Sequence, residues 1–152
     1  MASDAMRDDV TPAAPVPQSA VIAYRRRWWR TRVLLVTSMN TGRWVLPKGH
    51  IEDGMTPGES AAKEAREEAG VDGVVDPHSI GTYDYDKNDR KGSGGPRRVE
   101  VFAMSVTRVM RDWPEMYMRQ RKWMSVDAAI AAVDEKQLKK LLARFGEMID
   151  SA

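Results

Sequence analysis

Three glutamates, Glu64, Glu67 and Glu68, stand at i, i+3 and i+4 in a stretch that reads as a helix. Residues at that spacing share one helical face, where like charges destabilise an isolated helix by roughly 0.2–0.5 kcal/mol per pair. Two readings follow. In one, the face is solvated and softened by Glu59–Lys63 and Lys63–Glu67 pairs on the same helix. In the other, the three carboxylates converge on a hard divalent cation, Mg2+ or Mn2+, which takes oxygen ligands and keeps waters for a phosphate substrate. Context favours the second. A tight loop, Pro47-Lys48-Gly49-His50, feeds toward this helix and can add backbone groups to such a site.

The elements that must position these carboxylates have local signatures. Thr56-Pro57-Gly58-Glu59 is a capping box: Thr56 at the N-cap, Pro57 at the first helical position, Glu59 reaching back. Gly70 ends the helix as a left-handed cap. Ala61, Ala65 and Ala69, with Ala62 beside them, form a narrow face that lets the helix approach another element closely. Before it, Ala20–Tyr24 and Arg32–Thr37 read as strands joined by a basic loop over residues 25–30, which holds Trp28 and Trp29. Asn40-Thr41-Gly42 is a turn, and Trp44-Val45-Leu46 a short strand stopped by Pro47. After the helix come strands near Val71–Val75 and Ile80–Tyr85, a polar loop over residues 87–96, and a buried strand over Val99–Thr107. Trp123-Met124 is a short strand at best. Ser125 and Asp134 are the expected caps of two last helices, the second carrying a core stripe of Leu138, Leu141, Leu142 and Phe145. This interleaving predicts an α/β or α+β sandwich.

The chain has 152 residues, of which 42% are hydrophobic and 30% charged, enough for one domain with a real core. The absence of cysteine excludes a disulfide framework, a cysteine nucleophile and a thiolate metal site. A net charge of +2 means that any basic function is local. No apolar run approaches membrane-spanning length, and Asp4, Asp8 and Asp9 stand where a signal peptide is basic and then apolar. The expectation is a cytoplasmic protein with no membrane partner. Residues 1–17, rich in Ala, Asp and Pro, are expected to be a disordered tail, with one domain over 18–152.

The run from Gly49 to Val71 resembles the Nudix box: Gly, five residues, Glu, seven residues, then Arg-Glu-apolar-any-Glu-Glu-any-Gly-apolar. The spacing matches throughout. Two positions depart, with Met55 at the first box Glu and Lys63 at the box Arg. Losing both partners avoids a stranded buried charge. Met55 is expected to pack, and Lys63 to pair with Glu59 one turn back. The resemblance implies an α/β/α sandwich with a mixed central sheet and a loop-helix-loop box. It also implies metal-dependent hydrolysis of a phosphoanhydride. By position, Glu64 and Glu68 would be metal ligands and Glu67 the base, with Glu67 a further metal contact, Glu64 the alternative base, and the Lys48 backbone carbonyl completing the shell.

The similarity extends over most of residues 18–146 to the diphosphoinositol polyphosphate and diadenosine polyphosphate hydrolases. It is carried by Arg43–Gly49, Val106–Trp113, Arg119–Trp123 and Asp127–Ile130. This implies a small-molecule polyphosphate substrate. Arg43, Arg90, Lys91, Arg97, Arg98 and Arg119 are the expected substrate contacts, with Lys87, Arg121 and Lys122 in the same basic groups, although each alone reads as a solvated charge. Val16-Pro17-Gln18 lacks a basic cluster, so a linear dinucleoside polyphosphate is at least as good a candidate as an inositol pyrophosphate. Glu100 is a candidate ligand outside the box. Two other readings stay open: a 5′-capped or triphosphorylated RNA as substrate, contacted by the Arg25–Arg30 loop, or a binding module with weakened catalysis. Residues 25–30 read first as a hairpin loop with snorkelling arginines, so nucleic acid is not the expected partner. Trp113 and Trp123 read as packing residues. No sequence pattern specifies an oligomeric state.

Overall fold

Ala20, Val21, Ile22 and Ala23 are consecutive and all fully buried. Successive strand residues point to opposite faces, so this strand must be covered on both. The computed structural model, which describes residues 14–87 and 94–151, shows how. Its elements are β1 (Val16–Arg27), β2 (Arg30–Thr37), β3 (Trp44–Val45), β4 (Lys48–His50), α1 (Pro57–Ala69), β5 (Val71–Val75), β6 (Gly81–Lys87), β7 (Gly95–Val109), β8 (Arg121–Ser125), α2 (Val126–Ala132) and α3 (Lys136–Asp150).

The eight strands form one mixed sheet. β1 runs parallel to β7 along one edge, while its other edge pairs antiparallel with β4 at Gln18–Ala20 and with β2 at Ala23–Arg27. β7 also carries β5 and β6, and β2 carries β3 and β8. On one face, Ala20, Ile22, Val33 and Leu35 pack under Leu138, Leu142 and Phe145 of α3. On the other, Val21, Ala23, Leu34, Val36 and Met104 pack under the alanine face of α1. The expected α/β/α sandwich around a mixed sheet is therefore present. Each fully buried Leu, Ile or Phe contributes roughly 1.5–3 kcal/mol of burial free energy.

Three boundaries differ from expectation. β1 begins at Val16, ahead of Gln18, because Val16 and Pro17 lie in register with Arg97 and Arg98 of β7. Pro17 is tolerated there because β4 begins pairing only at Gln18, so β1 has one neighbour at that point. The basic segment is not a loop. β1 and β2 continue through the arginines to an Arg27↔Arg30 pair, leaving only Trp28 and Trp29 in the turn. Two-residue hairpin turns need positive φ, and Trp28 supplies it at φ 62. Finally, α3 starts after Glu135 without a side-chain cap, and Asp134 instead accepts a 2.6 Å hydrogen bond from Arg43. Ser125 caps α2 as expected, its hydroxyl accepting from the Ala128 N–H.

Candidate active site

A cleft of about 630 Å³ opens where β4 meets α1. Lys48 and Gly49 of β4, Glu64 and Glu68 of α1, Tyr85 of β6 and Arg119 of the β7–β8 connection are among its lining residues. Helix α1 is fixed at both ends. Thr56 accepts from the Glu59 N–H (3.1 Å), and Glu59 accepts from the Thr56 N–H (2.9 Å). Gly70 takes φ 65 at the other end. There the Arg121 guanidinium, 3.7 Å over the Trp113 ring, donates to Ala69 O and Met110 O at 2.9 and 2.8 Å. Trp113 donates to Glu68 O at 3.1 Å. The orphan carbonyls of the last turn are thus satisfied, and Glu68 is held by its backbone. Arg121, expected in a phosphate-binding group, is a clamp on the helix.

The carboxyl groups of Glu64 and Glu68 lie close enough to share a hydrogen bond. Glu68 is 5% exposed. Its partners are the Lys48 N–H, donating at 3.3 Å, and Arg119 Nη2 at 3.6 Å. Burial pushes the Glu68 carboxyl up to about 8, against the pull of Arg119 and with a further push from Glu64. Burial raises Glu64 too, and Glu67 and Glu115 add to it. Burial lowers the Lys48 ammonium, which lies 5.1 Å from the Tyr85 ring centroid. Arg119 is itself held by Glu115 (2.8 Å) and by Thr37 O (3.0 Å). The two facing carboxylates are oxygen donors of the kind a hard divalent cation takes, and the guanidinium beside them is placed to meet an anion. Among the described residues, no three His, Asp or Glu side chains stand at mutual coordination spacing; the preassembled part is the Glu64–Glu68 pair.

Gly49 makes that pair possible. A Cβ there would fall on the Glu64 carboxyl, 2.5 Å from Oε1 and 2.7 Å from Cγ. The obstructing atoms end a flexible side chain, so Gly49→Ala is expected to displace Glu64 and spare the backbone. Turnover should fall about 10–100-fold, the scale of an ångström-sized misplacement, with the melting temperature nearly unchanged. Side-by-side kinetics and thermal melts check this.

Both substituted box positions behave differently from expectation. Glu59 is occupied by the capping box, so Lys63 turns instead to Glu52 at 2.5 Å and Glu67 at 3.4 Å. The loop-to-helix support is therefore rebuilt from Glu52. Met55 is 37% exposed and joins neither core cluster. Glu67 is not among the cleft-lining residues; its carboxylate points toward Lys63, and its backbone carbonyl accepts from the Glu115 N–H.

Of the expected substrate cations, Arg43 and Arg119 line the cleft, as does Lys87. Arg97 and Arg98 lie on β7 outside its lining. Arg97 is buried and donates to Gly95 O and Pro96 O, and Arg98 pairs with Asp84 across the β6–β7 ladder at 2.9 Å. Arg90 and Lys91 fall outside the described residues. Glu100 pairs within the sheet, whereas Glu52, Glu115 and Glu135 line the cleft. The Lys48 side chain, Gln18, Tyr83 and Tyr85 were also missed. Glu115 carried a signal, its i, i+4 spacing to Arg119; Lys48, Gln18, Tyr83 and Tyr85 are joined only by strand pairing, and Glu52 and Glu135 only by loops that return to the cleft. No helix among the described residues is long and apolar enough to cross a membrane.

Comparison with known proteins completes the description. The family model of the NUDIX domain matches residues 16–145. "Nudix hydrolase 12, mitochondrial" of Arabidopsis thaliana is 33% identical over 119 residues, covering 76% of this chain and 59% of that protein. "Diphosphoinositol polyphosphate phosphohydrolase 3-beta" of Bos taurus is 36% identical over 101 residues, covering 64% and 57%. The chain spans about three fifths of the length of the curated relatives it matches. A solved structure of the C. elegans Ap4A hydrolase superposes with a TM-score of 0.68 at 19% identity, over 90% of this chain and 99% of that one, a likeness of fold.

Proposed function

The chain belongs to the NUDIX domain family, and on that premise we propose that it is a metal-dependent pyrophosphohydrolase. Its substrate is a dinucleoside polyphosphate or an inositol pyrophosphate, cleaved at a phosphoanhydride bond. The supporting observation is the Glu64–Glu68 pair set against Lys48 and Gly49 in a cleft that also presents Arg43, Arg119 and Lys87. Glu64 and Glu68, with the Lys48 carbonyl, are the groups that would hold Mg2+ or Mn2+, whose charge offsets that of the phosphate oxygens, and Glu67 would join them by leaving Lys63. The remaining roles fall to side chains. Arg43, Lys48 and Arg119 bind and orient phosphate oxygens. Glu64, which lines the cleft, takes the proton of the attacking water, or Glu67 does so after leaving its contact with Lys63. Arg119 also keeps Glu68 aligned through their 3.6 Å contact.

The dinucleoside polyphosphate is favoured by a groove that continues from the cleft through Ser38, Met39, Met118 and Arg119 to Trp44 and Tyr117. Tyr117 is 92% exposed and Met118 55%. A base stacked on an aromatic ring gains about 1–3 kcal/mol. Tyr117→Ala is therefore expected to raise KM for diadenosine hexaphosphate about tenfold and leave KM for an inositol pyrophosphate unchanged. The reverse pattern would assign the inositol substrate.

The decisive experiment is phosphate release from diadenosine penta- and hexaphosphate, an inositol pyrophosphate, ADP-ribose and a 5′-triphosphorylated RNA. Each is run with Mg2+, with Mn2+ and with EDTA. Metal-dependent release from one of the first three compounds is expected. No metal-dependent release from any compound would overturn the reading.

A further inference from the structure

At the far end of β1 lies a second cluster with no part in this chemistry. Gln18 lines the cleft, and Arg25 stands seven residues farther along the same strand, about 23 Å away at ~3.3 Å per residue. There the register sets Arg25 opposite Arg32 and Arg27 opposite Arg30. Residues at i and i+2, and those directly opposite, share a sheet face. All four guanidinium groups therefore leave from one side. Together with Trp28 at the turn and Trp123 of β8, they line a hollow of about 380 Å³. Arg25 lies 5.6 Å over the Trp123 ring.

Directly opposed like charges destabilise a hairpin. Among the described residues, no carboxylate pairs with any of the four arginines. Arg26 points to the other face and has a structural partner, donating to Ile149 O at 3.1 Å. Trp28 is 87% exposed, and it holds the one positive φ found at a non-glycine among the described residues. The hollow thus combines unneutralised positive charge with two indole rings, the pairing that binds bases by stacking and phosphates by charge. Its concave shape suits a planar base, whereas a bilayer or the closed stack of a duplex would leave Trp123 unreached.

We propose that this hollow is a binding site for single-stranded nucleic acid, separate from the cleft. It would add a polymer-binding function to the protein whatever the cleft hydrolyses.

The test is fluorescence anisotropy with labelled oligoadenylate of about ten nucleotides, as RNA and as DNA. A duplex of the same length and vesicles of phosphatidylcholine and phosphatidylglycerol are run beside them. Binding of single strands over duplex is expected, with a log–log salt slope of about −3 for four arginines. Arg27→Ala with Arg30→Ala should lower affinity at least about tenfold and halve the slope. Trp28→Ala should weaken binding at least about fivefold. All three substituted residues are exposed, so the variants fold, and their phosphate release from small substrates should match the wild type. Preference for RNA or for DNA names the source of the strand and supports the site either way. Variants that bind like the wild type, equal affinity for duplex, or binding to anionic vesicles without binding to oligonucleotides would overturn it.

Discussion

Glu68→Gln is expected to reduce metal-dependent phosphate release on the order of 10³-fold while leaving the protein at least as stable as the wild type, and more stable at neutral pH without metal. The two halves of this expectation have one cause. Glu68 is buried beside Glu64, so the folded chain without a bound cation already favours its neutral form. A glutamine reproduces that form: its carbonyl can accept from the Lys48 N–H, and its amide can donate to Glu64. What it lacks is the negative charge that the proposed reaction requires. Steady-state kinetics with Mg2+ and a thermal melt of the same preparation check both halves. Undiminished turnover would remove the Glu64–Glu68 pair from the chemistry. Lost turnover with a collapsed melt would make Glu68 a structural residue.

Without added metal, stability is expected to fall as pH rises from about 4.5 to about 8. The folded-state pKa of Glu68 is raised to about 8 from an ordinary 4.5. Between these values the native state holds a proton that the unfolded chain has released, so unfolding gains as pH increases. The contribution is fully present below about 4.5, declines through the window, and is gone above about 8. At 1.36 kcal/mol per unit, the decline is a few kcal/mol. Glu68 is buried, so solvent screening does little to reduce it. Denaturant unfolding in EDTA across this range measures the effect. Glu68→Gln should flatten the profile, and a wild-type profile that is flat or rising would contradict the burial argument.

Some of the site was legible because its signals are local. The capping box, the left-handed Gly70 and the spacing of Glu64 and Glu68 each involve residues within a few positions of one another, where backbone geometry follows from residue type. The same locality explains the errors. One helical turn separates Lys63 from Glu59, but Glu59 has a better local partner in the Thr56 N–H. Glu52, eleven residues before Lys63, reaches it only because the loop folds back on the helix. Arg121 and Arg98 read as free cations, yet one clamps a helix end and the other pairs across a strand. No spacing rule distinguishes these cases.

Residue order by itself thus determined the helix that carries the carboxylates and its start and stop. Tertiary structure decided which carboxylates meet. Pairing of β4 with β1 brings Lys48 and Gly49 against α1, and only that approach desolvates Glu68 and presses Glu64 against a residue with no side chain. It also decided that four arginines share one face, because hairpin register converts a run of basic residues into alternating sides. The physical reason is the same in both places. Helix signals are set by neighbours in the chain, whereas burial and cross-strand register are set by segments that meet only when the sheet closes.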